Sequence, residues 1–237
     1  MPNKIIIRKK IKRFNNQIKV SGDKSLSIRW ILFASLAHGK SRAYNLLKSE
    51  DVVAAINAIK KLGIKVSINN NFCDIYGKGI EGFQYKKNLI INAKNSGTLG
   101  RLILGLLINS NKSLKVIGDK SLSKRDFKRV ADPLKKFGVK IKLSKNKNLP
   151  LTIKGTIKSK PIRYYEKKGS AQCKSSVILA GLRTDGKTLI KAKKSRDHTE
   201  RLCKYLKLPV KVKKQKKFDL ITVNKAKKIK PFNYKIP

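Results

Sequence analysis

The chain has few residues of the kinds that bind metals or form disulfide bonds. It contains three cysteines, Cys73, Cys173 and Cys203, which are widely separated and form no Cys-x-x-Cys pair, and two histidines, His38 and His198. This spacing indicates neither a disulfide framework nor a zinc site, so the cysteines are interpreted as small apolar residues. With only two histidines, the sequence does not favour a Ser-His-Asp triad. The acidic residues form no closely paired set that suggests a metal site.

Long hydrophobic runs are missing from the N-terminal region. The first ten residues, MPNKIIIRKK, contain only three consecutive apolar residues, too few for a signal peptide or a membrane span. The sequence therefore predicts a cytoplasmic protein that does not enter a membrane. With 237 residues, 40% of them hydrophobic, the chain can bury a core as one large domain or two small ones.

Acidic residues are scarce: there are 13 Asp and Glu against 59 Lys and Arg, a net charge of +46. Such a charge attracts anions, and nucleic-acid binding is one explanation for it. Most of the basic residues are lysines spread over almost every segment, however, and the sequence has neither zinc-finger spacing nor an RNP-like aromatic motif. Small acidic molecules are therefore favoured over a specific nucleic acid, and a basic anion- or nucleic-acid-binding module without turnover is kept as an alternative.

The sequence contains a threefold internal repeat. Three segments align without gaps: DVVAAINAIKKLGIKV from Asp51, DFKRVADPLKKFGVKI from Asp126 and DHTERLCKYLKLPVKV from Asp197. Apolar residues at helical spacing, followed by β-branched residues, predict an amphipathic helix that leads into a strand in each segment. An aspartate in the first turn of a helix meets free N–H groups and the positive end of the helix dipole. A structural role for these three aspartates is therefore preferred to a catalytic one.

Each aligned segment belongs to a longer unit. It is followed by a second strand, in CDIYG, PLTIKG or DLITV, and preceded by a helix with its own strand, in ILFASLAHGKSRAYNL, LILGLLINSNKSLKVIG or SSVILAGLRTDGKTLIKA. Upstream of those helices are the apolar strands NQIKV, NLIINA and PIRYY. The predicted fold class is therefore α/β, built from three βαβαββ repeats.

The six residues GDKSLS occur twice, at 22–27 and 118–123. The first copy opens the first helix of its unit, whereas the second copy precedes the second helix of its unit, so the copies are not duplicate sites. In the other two units the place of the first copy is taken by KNSGTLGR (94–101) and KKGSAQCK (167–174). A helix N-terminus with small residues and a basic residue suits an anion. Serine capping would explain any one of the three places, whereas their agreement favours a shared anionic ligand.

A further strand of the first-strand type is predicted near the end of the chain, in PFNYKIP. Because this strand would open a fourth unit, we expect the chain to be one part of a longer protein.

The motifs resemble those of the EPSP synthase (3-phosphoshikimate 1-carboxyvinyltransferase) family. SGDKSLSIR resembles the first substrate motif of that family, KNSGTLGR its Asn-x-Gly/Ala-Thr loop, GDKSLSKRDFKRVADPLKKFGV a later conserved-looking stretch, and GSAQCKS with SRDHTE its sugar-phosphate segment. The resemblance runs from about Ile18 to Pro237 and corresponds to the N-terminal half of such an enzyme.

The resemblance implies a two-domain enolpyruvate transferase fold. Each domain consists of three βαβαββ repeats in an inside-out α/β barrel, and the active site lies between the domains. Residues 1–20 are then a strand segment of the second domain, residues 21–232 the three-repeat substrate-binding domain, and residues 233–237 the start of the second domain. The second domain is expected to be largely absent, so the chain is predicted to be inactive unless a separate C-terminal half is supplied. The complete enzyme is expected to be monomeric.

The implied reaction transfers the enolpyruvyl group of phosphoenolpyruvate to the 5-hydroxyl of shikimate 3-phosphate and releases phosphate, a step of aromatic amino-acid biosynthesis. Neither a cofactor nor a metal is implied. By motif position, Lys24 is the catalytic residue and contacts both substrates. The residues implied to bind shikimate 3-phosphate are Lys24, Ser25, Arg29, Ser170, Ala171, Gln172, Ser195 and Arg196. Those implied to bind phosphoenolpyruvate are Lys24, Gly97, Arg125 and Gln172.

The sequence departs from the family pattern at two places. Asp126 stands where many members have proline, and Ala171 where many have serine. UDP-N-acetylglucosamine enolpyruvyl transferase, which shares the fold, is a second alternative. That enzyme typically has asparagine after the first-motif lysine and a reactive cysteine in the loop that here spans 118–125, whereas this chain has Ser25 and no cysteine at these places.

Overall fold

The computed structural model describes residues 6, 8–10, 13, 15, 17, 18 and 20–237. The first repeat contains α1 (Lys24–Leu36), β1 (His38–Tyr44), α2 (Glu50–Lys61), β2 (Lys65–Ile68) and β3 (Phe72–Lys78). The second contains β4 (Leu89–Asn92), α3 (Gly97–Leu106), β5 (Leu114–Ile117), a short 3-10 helix (Leu122–Lys124), α4 (Lys128–Lys136), β6 (Lys140–Lys142) and β7 (Leu151–Lys154). The third contains β8 (Arg163–Glu166), α5 (Ala171–Gly181), β9 (Thr188–Lys193), α6 (His198–Tyr205), β10 (Val210–Lys214) and β11 (Phe218–Val223), and β12 (Asn233–Lys235) follows it.

The strands form three four-stranded sheets of the same design. Their orders are β12-β1-β3-β2, β4-β5-β7-β6 and β8-β9-β11-β10. In each sheet the first two strands are parallel and the remaining neighbours are antiparallel. The predicted α/β fold of three βαβαββ repeats is thereby confirmed, with β12 in the position that β4 and β8 occupy in the other sheets.

The first sheet obtains its outer strand from an unexpected part of the chain. The strand predicted in NQIKV includes Asn16 and Lys19, which lie outside the described residues, and Gln17, Ile18 and Val20 belong to no strand. The strand predicted in PFNYKIP does form.

Residues 233–235 complete the first sheet. β12 pairs with the open edge of β1, with Arg42 opposite Asn233. The Ile236 amide then donates to the Tyr44 carbonyl at 3.0 Å, and the Asp23 amide donates to the Pro237 carbonyl at 2.8 Å. An extended segment such as this one satisfies the unpaired backbone groups of an edge strand; the assignment of residues 233–237 to the start of a second domain stays a prediction.

Helices α1, α3 and α5 lie inside and the sheets lie outside. All residues from Ser27 to Leu36 in α1 and from Cys173 to Gly181 in α5 are buried. Strand residues alternate instead: in β9, Ile190 is buried and Lys191 is exposed. A helix that is buried on every side must be covered by other elements all round, so the predicted inside-out arrangement of the domain is confirmed.

Helices α3 and α5 pack with their backbones unusually close. A Cβ atom added at Gly105 would lie 2.2 Å from the backbone oxygen of Ser176, so only glycine permits this approach. The Ser176 hydroxyl also donates to the Arg101 carbonyl at 2.9 Å. This contact fixes the two helices side by side and keeps their first turns adjacent.

The described residues lack both a membrane-spanning helix and a metal-binding cluster. In that part of the chain, no helix combines the length and the hydrophobicity that crossing a bilayer requires. The same residues contain no group of three or more His, Cys, Asp or Glu side chains arranged to hold a metal ion. All three cysteines are buried free thiols.

Candidate active site

The three places predicted to bind anions are the N-termini of α1, α3 and α5. Asp23, Ser96 and Ser170 are the respective N-cap residues, and each side chain accepts a hydrogen bond from the amide three residues further on, at 2.7, 3.3 and 3.2 Å. Capping satisfies one of the four free amides at each terminus. The remaining free amides and the positive end of each helix dipole therefore suit an anion at these three places.

The first turns of α3 and α5 are joined by Gln172. Its amide oxygen accepts a hydrogen bond from Arg101 Nη1 at 2.8 Å, and its amide nitrogen donates to the Thr98 hydroxyl at 3.1 Å. Ala171, beside it, is the first residue of α5 and is half-buried. The side chain of Gln172 therefore links the second and third predicted anion places directly.

Arg29 joins α1 to the third repeat. Its Nε donates to the Thr199 hydroxyl in α6 at 2.8 Å, and its Nη2 donates to the Ser175 hydroxyl in α5 at 3.3 Å. Its Nη1 donates to the Ser25 carbonyl at 2.9 Å. Burial lowers the pKa of Arg29 to about 10, against the opposing effect of Glu200. Arg29 is thus cationic at neutral pH and ties the N-terminal ends of α1, α5 and α6 together.

Lys24 lies in the first turn of α1 and is half-exposed. Its ammonium group pairs with the Asp51 carboxylate at 3.0 Å. Asp51 also lies in the first turn of α2, as the structural interpretation of this aspartate predicted. Because half of the Lys24 side chain is exposed to water, solvent weakens this pair.

Gly97 lies where two guanidinium groups approach the first turn of α3. A Cβ atom added there would be 2.8 Å from Arg101 Nη1 and 3.3 Å from Arg125 Nη1. Arg125 Nη2 in turn donates to Asn95 Oδ1 at 3.1 Å. The residues implied for phosphoenolpyruvate in this repeat therefore lie together.

Arg125, which lies beside Gly97, follows the second GDKSLS copy in the chain. The Asp119 carboxylate accepts a hydrogen bond from the Leu122 amide at 2.7 Å, and the Asp119 amide donates to the Lys94 carbonyl at 2.9 Å. In both copies the aspartate accepts from the amide three residues further on, but the copies differ in topology, as predicted. Both nevertheless contribute a basic residue, Lys24 or Arg125, to the same end of the domain.

The loop between β9 and α6 supplies Ser195 and Arg196. The Ser195 hydroxyl is buried and has no hydrogen-bond partner among the described residues. Arg196 is exposed, and its charge contributes to the lowered pKa of Arg29. His198 follows two residues later. Burial is the main cause that lowers its pKa and the charge of Arg29 is the second, so this imidazole is neutral near pH 7.

Ser170, the N-cap of α5, is held from the other side by Glu166 at the end of β8. The Ser170 amide donates to Glu166 Oε2 at 2.7 Å, and Arg129 lies 3.8 Å from Glu166 Oε1. This acidic residue therefore already has a basic partner, and its charge opposes an incoming anion less than a free carboxylate would.

Several residues of the site were missed in the sequence. They are Asn95, Thr98, Arg101, Arg129, Ser175, His198 and Thr199. Arg101 was the last residue of a quoted motif, so its type and position gave a usable signal. Ser175 and Thr199 also belong to quoted motifs, but nothing in the sequence pairs their hydroxyls with Arg29, which they meet across 146 and 170 residues of sequence.

The fold and the site define an inside-out α/β domain with the N-termini of three buried helices at one end. Residues 8–237 match the family described as EPSP synthase (3-phosphoshikimate 1-carboxyvinyltransferase). The chain belongs to the EPSP synthase family, and the resemblance found in its motifs is confirmed.

Individual relatives agree with this assignment. The chain is 39% identical over 231 residues to a 3-phosphoshikimate 1-carboxyvinyltransferase from Sulfurihydrogenibium sp., covering 97% of this chain and 53% of the relative. It is 41% identical over 196 residues to one from Streptococcus suis, covering 82% and 46%. A solved structure of EPSP synthase from Acinetobacter baumannii is similar with a TM-score of 0.85 and 32% identity, covering 93% of this chain and 49% of that one. The chain thus spans about half the length of these relatives.

Proposed function

We propose that this chain provides the shikimate-3-phosphate site and part of the phosphoenolpyruvate site of an EPSP synthase. The observation that carries the proposal is the meeting of three capped helix N-termini at one end of the domain, linked through Gln172 and Arg29. Three partial positive charges in one place suit a polyanion better than a neutral ligand. Lys24, Arg125 and Arg196 add full charges there.

Shikimate 3-phosphate is assigned to the side formed by α1, α5 and the loop before α6. Ser170, Ser195 and Arg196 address its phosphate, and the Ser195 hydroxyl is free to donate since it has no partner among the described residues. Ser25, Arg29, Ala171 and Gln172 complete this side. A charged donor together with hydroxyls and helix amides is a strong combination for a phosphate.

Phosphoenolpyruvate is assigned to the side formed by α3 and the second GDKSLS copy. Arg125 binds it through its planar fork, Gly97 leaves the necessary room, and Gln172 borders both ligands. Lys24, in the first turn of α1, contacts both ligands and stabilises the negative charge that develops when the 5-hydroxyl oxygen attacks C2 of phosphoenolpyruvate. As the C–O bond forms, the 5-hydroxyl loses its proton and C3 of phosphoenolpyruvate gains one, which gives a tetrahedral intermediate. Loss of a proton from C3 then restores the double bond while the C2–O bond to phosphate breaks and inorganic phosphate leaves. The general acid and base of these steps are assigned to no residue of this chain.

A titration separates the proposal from its two alternatives. We expect the purified chain to bind shikimate 3-phosphate in isothermal titration calorimetry more tightly than UDP-N-acetylglucosamine or a single-stranded DNA oligomer. Preference for the nucleotide sugar would indicate the sister enzyme. Salt-dependent binding of DNA without binding of shikimate 3-phosphate would indicate a basic module without turnover.

Matched lysine and arginine variants test whether the site is specific. Lys24→Ala should weaken binding of both substrates by about tenfold or more, because it removes a charge-assisted contact. Arg125→Ala should weaken binding of phosphoenolpyruvate to the same extent for the same reason. Lys213→Ala, on the exposed strand β10, removes the same charge away from the site and should have little effect. Equal losses in all three variants would mean that the affinity comes from diffuse charge.

Turnover is tested with and without the rest of a relative. We propose that the 237-residue chain alone releases no phosphate from the two substrates, because acid–base groups typically contribute about 100- to 10,000-fold to a rate. Adding the C-terminal half of the Sulfurihydrogenibium relative as a separate polypeptide should give phosphate release. Steady release by the chain alone, above a Lys24→Ala control, would contradict this part of the proposal.

A further inference from the structure

The buried side of the Arg29 guanidinium is held by two hydroxyl groups from the third repeat. Nε donates to Thr199, Nη2 donates to Ser175, and the two hydroxyl oxygens are themselves 2.7 Å apart in a hydrogen bond. These contacts close a ring of three hydrogen bonds. Both hydroxyl-bearing residues are fully buried, with 0% of their surface exposed, so water does not compete for the ring.

The ring leaves a specific part of the guanidinium free. A guanidinium has five N–H bonds, and Arg29 uses one on Nε, one on Nη2 and one on Nη1, the last toward the Ser25 carbonyl. One N–H remains on each of Nη1 and Nη2. Two neighbouring donors of this kind can bind two oxygens of an anionic ligand together.

The partners of Arg29 differ from those of Arg42 and Arg183. Arg42 makes a bidentate contact with Asp74 at 2.7 Å, and Arg183 pairs with Glu81 at 3.0 Å. Within the described part of the chain, no carboxylate oxygen lies within 4.0 Å of the Arg29 guanidinium. Neutral hydroxyls fix the direction of a cation without cancelling its charge, which is the requirement for binding an anion.

Glu200, the acidic residue next to Thr199 in the chain, forms an ion pair with Lys174. Glu200 follows Thr199 in α6, but its carboxylate lies 2.6 Å from the ammonium group of Lys174 in α5, and both side chains are buried. This ion pair fixes α6 against α5 at the level of the ring. Glu200 therefore helps to place Thr199 while its charge is balanced by Lys174.

We propose that Thr199 and Ser175 are positioning residues that hold Arg29 for shikimate 3-phosphate. They touch no ligand themselves; they set the direction of the two free N–H bonds of Arg29. This inference rests on the proposed function, and it adds a specific requirement to it: loss of the Thr199 hydroxyl weakens binding of shikimate 3-phosphate even though the charge of Arg29 is retained.

The decisive comparison is between two threonine-to-valine variants. Thr199→Val keeps the shape of the side chain and removes the hydroxyl that Arg29 uses. Thr188→Val is the matched control, since the Thr188 hydroxyl in β9 is equally buried but has no hydrogen-bond partner in the described part of the chain. Calorimetric titration should show about ten- to hundredfold weaker binding of shikimate 3-phosphate for Thr199→Val, as for a lost hydrogen bond to a charged group, and no change for Thr188→Val.

A second measurement does not depend on the ligand. The Nε–H proton of Arg29 should exchange slowly with water in the native chain and much faster in Thr199→Val, as followed by 15N–1H NMR. Thr199→Ser, which restores a hydroxyl, should recover most of both the slow exchange and the affinity. A purely structural role for Thr199 would lower thermal stability without a selective loss of shikimate-3-phosphate affinity.

The outcomes separate the two proposals. If the unmodified chain shows slow exchange but binds no shikimate 3-phosphate, the proposed function is wrong and this inference falls with it. If the unmodified chain binds and Thr199→Val binds equally well, only the positioning role is wrong. Should Thr199→Val fail to fold, Ser175→Ala is measured in the same way, and unchanged affinity in that variant overturns the inference.

Discussion

At the scale of single residues, Gly97 shows how one missing methyl group sets the geometry of the site. The guanidinium groups of Arg101 and Arg125 come so close to Gly97 that a side chain of any size would displace them. Arg101 also holds the amide of Gln172, so a disturbance at Gly97 reaches the residue that borders both proposed ligands.

Gly97→Ala should therefore weaken binding of phosphoenolpyruvate by about tenfold, the loss of one well-placed charged contact. The added Cβ would lie 2.8 Å from Arg101 Nη1, and a long side chain moves more easily than the helix backbone. The melting temperature should change little for the same reason. Binding of phosphoenolpyruvate and of shikimate 3-phosphate is compared by calorimetry; an equal loss for both ligands would indicate a general distortion of the helix instead.

Asp74 makes the stability of the first sheet dependent on pH. The hydrogen bonds from Arg42 hold the pKa of the Asp74 carboxyl below its usual range. A lowered carboxyl pKa in the folded state means that the stabilisation is present above the unfolded pKa of about 3.9 and is lost as the pH falls through the lower folded value. Asp74→Asn should consequently be less stable than the unmodified chain at pH 7, and the difference should shrink toward pH 2.

Urea unfolding at several pH values measures this difference. Asp132→Asn is the control, because Asp132 pairs with Lys128 on an exposed helix face, where ion pairs contribute little. A destabilisation by Asp74→Asn that stays constant from pH 7 to pH 2 would exclude the ionic explanation.

At the scale of helices and strands, the close contact between α3 and α5 determines the relative position of two of the three helix N-termini. Gly105→Ala places a methyl group 2.2 Å from a backbone oxygen of α5, which no side-chain rotation relieves. Overpacking of this kind typically costs about 1 to 3 kcal/mol of unfolding free energy. We also expect weaker ligand binding, because the first turn of α5 must move.

Gly100→Ala, in the same helix, is the appropriate control for this prediction. Its methyl group would meet the Phe127 ring at 3.2 Å, a side chain that can yield slightly. Urea unfolding should show a smaller loss for Gly100→Ala than for Gly105→Ala, and the reverse order would mean that the α3–α5 approach is not limiting.

Much of this architecture was predictable at the level of elements. The aligned aspartate segments and the small-residue places gave the repeat, the order of helices and strands, and the helix starts at Asp23, Ser96 and Ser170, because capping and periodicity are local properties of a sequence. The pairings that complete the site are not local. Nothing in the pattern around Thr199 shows that its hydroxyl meets Arg29, and nothing around Asn233 shows that its strand joins β1.

At the scale of the whole molecule, β12 is the element on which the first repeat depends most. Ile236, which follows β12, is fully buried, and Ile236→Ala should cost about 2 to 5 kcal/mol of unfolding free energy, as other buried large-to-small changes do. Hydrogen exchange followed by mass spectrometry should show faster exchange in β1 and at the start of α1. The equivalent strands β5 and β9 serve as internal controls, and uniform acceleration in all three sheets would show that the repeats do not respond separately.

The pairing of β12 with β1 also bears on the order in which the molecule is made. The second and third sheets can close as soon as their own residues have left the ribosome, whereas β1 must wait for residues 233–235. Until then the edge of β1 presents unpaired backbone groups, and such edges accept strands from other chains. The first sheet contains β1, which is synthesised early, yet it is the last of the three sheets to be completed. Slow synthesis therefore prolongs the period in which the open edge of β1 can aggregate.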